Sequence, residues 1–118
     1  MDARVTFIGS LKISDYDAWL PAMQAMTLFV AKQVPGVLSF HAYVNDEHTQ
    51  GTVIFVHPDA DSLDVHLAVA AERIRAGTQM VEVTRVQLLG SPHQSTVDAL
   101  RESGAPVEVS HTVDGFSR

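Results

Sequence analysis

A chain of 118 residues with no cysteine and a net charge of −6 excludes several classes of protein at once. The length suits one domain and is too short for two independently stable cores. The acidic balance repels nucleic-acid backbones and anionic membranes, and the lack of thiols removes disulfides, thiolate nucleophiles and cysteine metal sites.

With 46% hydrophobic and 19% charged residues, the chain can fill a real core. No apolar run is long enough to span a bilayer, and Met1 is followed by Asp2 and Arg4 rather than by a signal-like apolar region. The expectation is a cytoplasmic protein with neither nucleic acid nor membrane as partner.

From Arg4 to Ile13 the residues alternate, with Val5, Phe7, Gly9, Leu11 and Ile13 on one side, as in a half-buried strand. Ser14, followed three residues later by Asp17, predicts a capped helix start. Trp19, Ala22, Met23, Met26, Phe29 and Val30 then recur at helical spacing and make one apolar stripe. Val34-Pro35-Gly36 ends this helix, because proline disfavours helical geometry in the residue before it.

Val37 to Asn45 alternates again, a polar connector follows from Asn45 to Gly51, and Thr52 to His57 is rich in residues that suit a sheet. These two strands are expected to pair antiparallel. After Pro58, the residues Asp59, Asp61 and Ser62 offer helix caps, and Leu63, Leu67, Ala70 and Ile74 mark a core stripe that His66 shares. Met80 to Leu89 reads as a fourth strand, more polar than the others through Glu82, Arg85 and Gln87. Ser95 with Asp98 predicts a short third helix to about Ser103, and Val107 to Val113 a fifth strand.

The order strand, helix, strand, strand, helix, strand is the ferredoxin-like split motif. The expected class is α+β, one domain over residues 1–118, with a βαββαβ core at 3–90 and a helix-strand extension at 91–118. Right-handed crossovers put both main helices on one face of the antiparallel sheet and leave the other bare.

The order of elements and the D-x-L-x-x-H-L run from Asp61 to Leu67 resemble the antibiotic biosynthesis monooxygenase (ABM) family, of the dimeric α/β-barrel superfamily. The resemblance covers about Ala3 to Gly90. It implies a homodimer whose sheets meet through their bare faces, including Val37, Val53, Ile8, Val86 and Tyr43 in one or other register. It also implies an oxidoreductase acting on a quinol or polyketide-like aromatic, with neither metal nor flavin, the substrate's own ring reducing oxygen. Haem-degrading relatives pair the helix histidine with a first-strand asparagine and a preceding tryptophan. Here only His66 has a matching position, the single tryptophan being Trp19 on the first helix.

His66 is the candidate catalytic residue, as a neutral imidazole able to take a phenolic proton. The opposing reading is a core histidine bonded to a backbone carbonyl. Trp19, Met23, Phe29 and His66 are the expected walls of a pocket for a small aromatic ligand. Tyr43 and His41, with Arg85 and Gln87, are read as a polar patch or a wetted part of the dimer interface. His57, Asp59 and Asp61 resemble a metal cluster, but strand-end and cap duties account for them, so no metal is expected. Nucleophile elbows, phosphate loops and dinucleotide fingerprints are absent, so no bound cofactor is expected. Two functions stay open: a cofactor-independent monooxygenase, or a non-catalytic ligand-binding or assembly module of the same fold.

Overall fold

The computed structural model describes residues 3–77, 80–116 and 118. Its elements are β1 (Val5–Ile13), α1 (Tyr16–Gln33), β2 (Ser39–Val44), β3 (Gln50–His57), α2 (Ala60–Gly77), β4 (Val81–Leu89), α3 (Gln94–Glu102) and β5 (Val107–Ser110). The strands form one sheet in the order β2-β3-β1-β4-β5. Every neighbouring pair is antiparallel except β4 with β5. This is the expected α+β, ferredoxin-like order with a helix-strand extension.

β1 lies at the centre, and its register decides which face is core. Val5 stands opposite His57, Phe7 opposite Phe55, Gly9 opposite Val53 and Leu11 opposite Gly51. Since side chains alternate across a strand, these residues share the face that the helices cover. The other face carries Ile8, Ile54 and Val56, half-buried, together with the exposed Tyr43. Of the residues expected on the bare face, Ile8 and Tyr43 are there. Val53 and Val86 instead face the helices and are buried, and Val37 packs before β2 against Met26, Val30 and Val34.

The polar appearance of β4 has a definite cause. Its register against β1 shifts between Ser10 and Leu11, so that Ser10 pairs with Arg85 and Leu11 with Val83, leaving Thr84 as the extra residue. The resulting bulge reverses parity. Val81 and Val83 therefore face inward on one side of it, and Val86 and Leu88 on the other. Arg85 turns to the open face and pairs with Glu108 at 2.6 Å. Because β3 and β1 separate β2 from β4, Tyr43 and Arg85 are roughly 14 Å apart and form no single patch.

Two helix starts, those of α1 and α3, differ from expectation by one or two residues, while α2 is capped by one of the expected residues. Asp15, not Ser14, caps α1 and accepts from the Ala18 amide, while the Ser14 hydroxyl donates to the Met80 carbonyl. Asp59 caps α2, accepting from the Ser62 amide at 2.8 Å. His93 occupies the cap position of α3 with no side-chain cap bond, and Gln94 bonds Asp98 instead. β2 is shorter than expected. β5 ends at Ser110 rather than Val113, because its partner β4 ends at Leu89 and Gly90 turns the chain away. The fifth strand thus adds to its own chain's β4 edge.

Two glycines let elements approach closely. A Cβ at Gly51 would lie 3.1 Å from the Ile13 side chain and 3.3 Å from the Trp19 ring, and one at Gly9 would lie 3.1 Å from Val53. Gly90 has φ of +117°, and a Cβ there would overlap the Arg4 carbonyl oxygen. Gly90→Ala is therefore expected to lower stability by about 2 kcal/mol or more, combining backbone strain with a clash. Urea unfolding of the two proteins measures it, and a loss under 0.5 kcal/mol would mean the β4-α3 turn tolerates a side chain.

Candidate functional site

Between α1 and the covered sheet face lies a cavity of about 130 Å³. Phe7, Phe40 and Phe55 line it from the strands, Trp19, Met23 and Met26 from the helix, and Met80 and the valines of β4 close one side. Each wall follows from periodicity. Residues 19, 22, 23 and 26 fall on one stripe of α1, and Phe7 and Phe55 are cross-strand partners on the inner face. Phe55 stacks on Phe40 with centroids 4.5 Å apart and meets Phe7 edge-on at 5.8 Å.

Trp19 is 3% exposed, and its Nε1 is buried without a hydrogen-bond partner. An unpaired buried donor costs roughly 1–3 kcal/mol, so this N–H is a cost that the packing around Trp19 has to offset. Of the expected pocket residues, Trp19 and Met23 line the cavity, while Phe29 and His66 do not. Phe29 lies ten residues beyond Trp19, about 15 Å along the helix axis, and packs with Met26, Val30 and Val34 instead.

His66 occupies the layer behind. Its ring centroid is 4.4 Å from that of Phe55, which joins the cavity wall to the histidine. His66 is 2% exposed and His57 is fully buried, and the two rings meet: His66 Nδ1 is 3.3 Å from His57 Nε2. His57 Nδ1 is in turn 3.3 Å from Ser62 Oγ. His66 Nε2 is buried without a partner. A carbonyl-bonded core histidine is thus not what the geometry contains.

Burial pushes the His66 imidazolium down from 6.5 to about 4, and the neighbouring His57 adds to the effect. Burial also lowers His57, against the opposing pull of Asp59. Both rings are neutral near pH 7, which is why they can lie in contact.

His57, Asp59 and Asp61, weighed above as a metal cluster and read instead as strand-end and cap residues, have separate partners. His57 bonds Ser62 and His66, Asp59 caps α2, and Asp61 pairs with His93 at 2.7 Å. Asp61, Asp64 and His93 do bring ligand atoms within 4.8 Å of one another among the described residues. Their contacts serve helix docking: the Thr96 hydroxyl donates to Asp64, and the Asp61 bond holds the His93 pKa above its ordinary value. His48, at the β2-β3 turn, has φ of 59° and stacks on Tyr16, and the His111 ring donates to the Gly90 carbonyl.

His57 is the residue that sequence reasoning under-read. The signal was present, since His57 shares the parity of Phe55 and Val53 and so belongs to the inner face, nine residues before His66.

The fold is that of a small α+β protein, and solved ABM-like proteins share it. MupZ from Pseudomonas fluorescens superposes with a TM-score of 0.76 at 22% identity, over 100% of this chain and 91% of that chain. SnoaB, a cofactor-independent oxygenase from Streptomyces nogalater, matches with a TM-score of 0.66 at 18% identity, over 78% of this chain and 96% of its own. A candidate antibiotic biosynthesis monooxygenase from Bacteroides thetaiotaomicron matches at 0.62 and 14% identity, over 77% and 90%. No protein-family profile and no curated protein sequence matches the chain. Among the described residues, no helix is long and apolar enough to cross a membrane.

The histidine pair sets a pH dependence of stability. Unfolded, each ring takes up a proton near pH 6.5, whereas folded His66 resists protonation until about pH 4. The unfolded state therefore binds more protons in this window, and stability falls as pH drops through it. The His66 contribution is on the order of 3 kcal/mol. Urea titrations at intervals from pH 7.5 to 4 are expected to show a steeper loss for the wild type than for His66→Leu, and equal slopes would exclude the pair as the source.

Proposed function

We propose that this protein binds a small, largely apolar aromatic molecule in the cavity under α1 and oxygenates it without a cofactor. The observation that carries this reading is an apolar cavity walled by Phe7, Phe40, Phe55 and Trp19, the last a residue whose buried indole N–H has no partner. Such a site favours a flat ring bearing one acceptor oxygen. The volume suits about one aromatic ring. Met23, Met26 and Met80 supply adaptable side chains where a second ring must be admitted.

In this reading Trp19 Nε1 donates to a phenolic or carbonyl oxygen of the substrate, and His66 accepts its acidic proton once the Phe55 ring turns aside. Loss of that proton raises the electron density of the ring, which then reduces oxygen. One oxygen atom enters the product as a carbonyl and the other leaves as water, with all electrons drawn from the substrate. The likeness to SnoaB, a cofactor-independent oxygenase, supports the class of reaction.

A second reading, binding without turnover, is favoured by one observation: Phe55 stands between the cavity and His66. Oxygen uptake with a one-ring quinol separates the two. The oxygenase reading expects uptake, a loss of about a hundredfold in His66→Ala and a roughly fivefold weaker complex in Trp19→Phe, the value of one hydrogen bond. Quenching of the single tryptophan without oxygen uptake would leave the binding module. Undiminished turnover in His66→Ala would remove the histidine from the mechanism.

The same reading has two copies meeting through their open sheet faces, where Ile8, Ile54 and Val56 offer a central apolar band. Sedimentation at micromolar concentration is expected to give about twice the 12.8 kDa of one chain, and a species at the single-chain mass would rule out this pairing.

A further inference from the structure

We infer that Ser62, His57 and His66 form a proton relay from the inner side of Phe55 to the outer end of α2, with His57 and Ser62 acting as positioning residues for His66. The inference rests on His66 being the proton acceptor of the proposed reaction. It is carried by an unbroken array: Ser62 Oγ to His57 Nδ1 at 3.3 Å, His57 Nε2 to His66 Nδ1 at 3.3 Å, and an unpartnered Nε2 at the buried end.

The chemistry of two neutral imidazoles constrains this array. Each ring carries one N–H and one lone pair, so a bond between them requires one to donate and the other to accept. Only two arrangements satisfy every contact. In the first, His66 Nδ1–H donates to His57 Nε2, His57 Nδ1–H donates to Ser62, and His66 Nε2 is a bare acceptor. In the second, the Ser62 hydroxyl donates to His57 Nδ1, His57 Nε2–H donates to His66 Nδ1, and His66 Nε2 carries the proton. In either arrangement the two rings have the same tautomer.

Passing from the first arrangement to the second moves one proton through the array. A phenol or enol O–H gives its proton to His66 Nε2, His66 Nδ1 gives one to His57 Nε2, His57 Nδ1 gives one to Ser62 Oγ, and the former hydroxyl proton leaves to water. Each group releases one proton as it takes one up. Both rings therefore end neutral, and the charge left behind is the phenolate or enolate. A lone buried histidine would have to hold an imidazolium, which its surroundings resist. The relay removes that requirement.

Of the three groups in the array, only Ser62 is not fully buried. Ser62 is half-buried in the first turn of α2, its amide held by the Asp59 carboxylate. A Cβ added at Gly36 would lie 3.0 Å from Ser62 Oγ, so the bare backbone of the α1-β2 connection passes beside the hydroxyl. The buried end belongs to the ring that packs against Phe55, and Phe55 lines the cavity.

Nitrogen NMR of the intact protein with labelled histidine tests the relay independently of turnover. At pH 7, His57 and His66 are expected to be neutral, to share one tautomer and to show a coupling between Nε2 of one and Nδ1 of the other. Opposite tautomers, an imidazolium on either ring, or no coupling would overturn the relay. Where a one-ring quinol is turned over, Ser62→Ala is expected to lower kcat at least about tenfold with KM unchanged and to abolish the solvent isotope effect of the wild type. Wild-type kcat in Ser62→Ala overturns the relay while leaving His66 as the acceptor. Absence of turnover in the wild type overturns the oxygenase reading, and coupling and tautomers then decide the array alone.

Discussion

The register of β1 against β3 is the constraint on which the rest of the molecule depends. It places Phe7 against Phe55 and Val5 against His57, so that the cavity wall and the deeper histidine come from adjacent inward positions of the same strands. A slip of one residue would send Phe55 and His57 to the open face and bring Ile54 and Val56 under the helices. Neither cavity nor histidine pair would then exist. The bulge at Thr84 does the same work on the other flank, where it keeps Val81 and Val83 on the cavity side although Val86 and Leu88 are also inward.

Two kinds of apparent defect coexist in the layer between sheet and helices. Trp19 leaves a donor unpaired, and His66 leaves a ring nitrogen unpaired, although buried polar atoms in folded proteins nearly always find partners. The cost of each is borne by packing around it: Trp19 against Ile13 and Leu11, His66 against Phe55 and His57.

Much of this architecture was legible from the chain. Alternation in β1 and the helical stripe of α1 express burial directly, and burial is what the hydrophobic pattern encodes. The misreadings come from interactions that pattern does not carry. Ser14 has the right chemistry for a cap, but its hydroxyl is taken by Met80, a residue far away in sequence, and Asp15 caps instead. Thr84 cannot be recognised as a bulge until β1 supplies the register. His57 looked like a strand end beside acidic caps because its partner His66 lies on the next element. His66 was selected from the sequence by its helical face, which correctly gave burial; whether buried means facing the cavity depends on Phe55, which belongs to a different strand.

Gly9 gives the cavity wall its thinness, and this bears on how such a protein changes over evolutionary time. A methyl group at that position would press on Val53 and Phe7 without touching the backbone pairing or either histidine. Under the proposed function, ligand range and proton chemistry would therefore be separable traits. Drift at a residue with no functional group of its own would then reshape the cavity while the histidine pair is inherited intact.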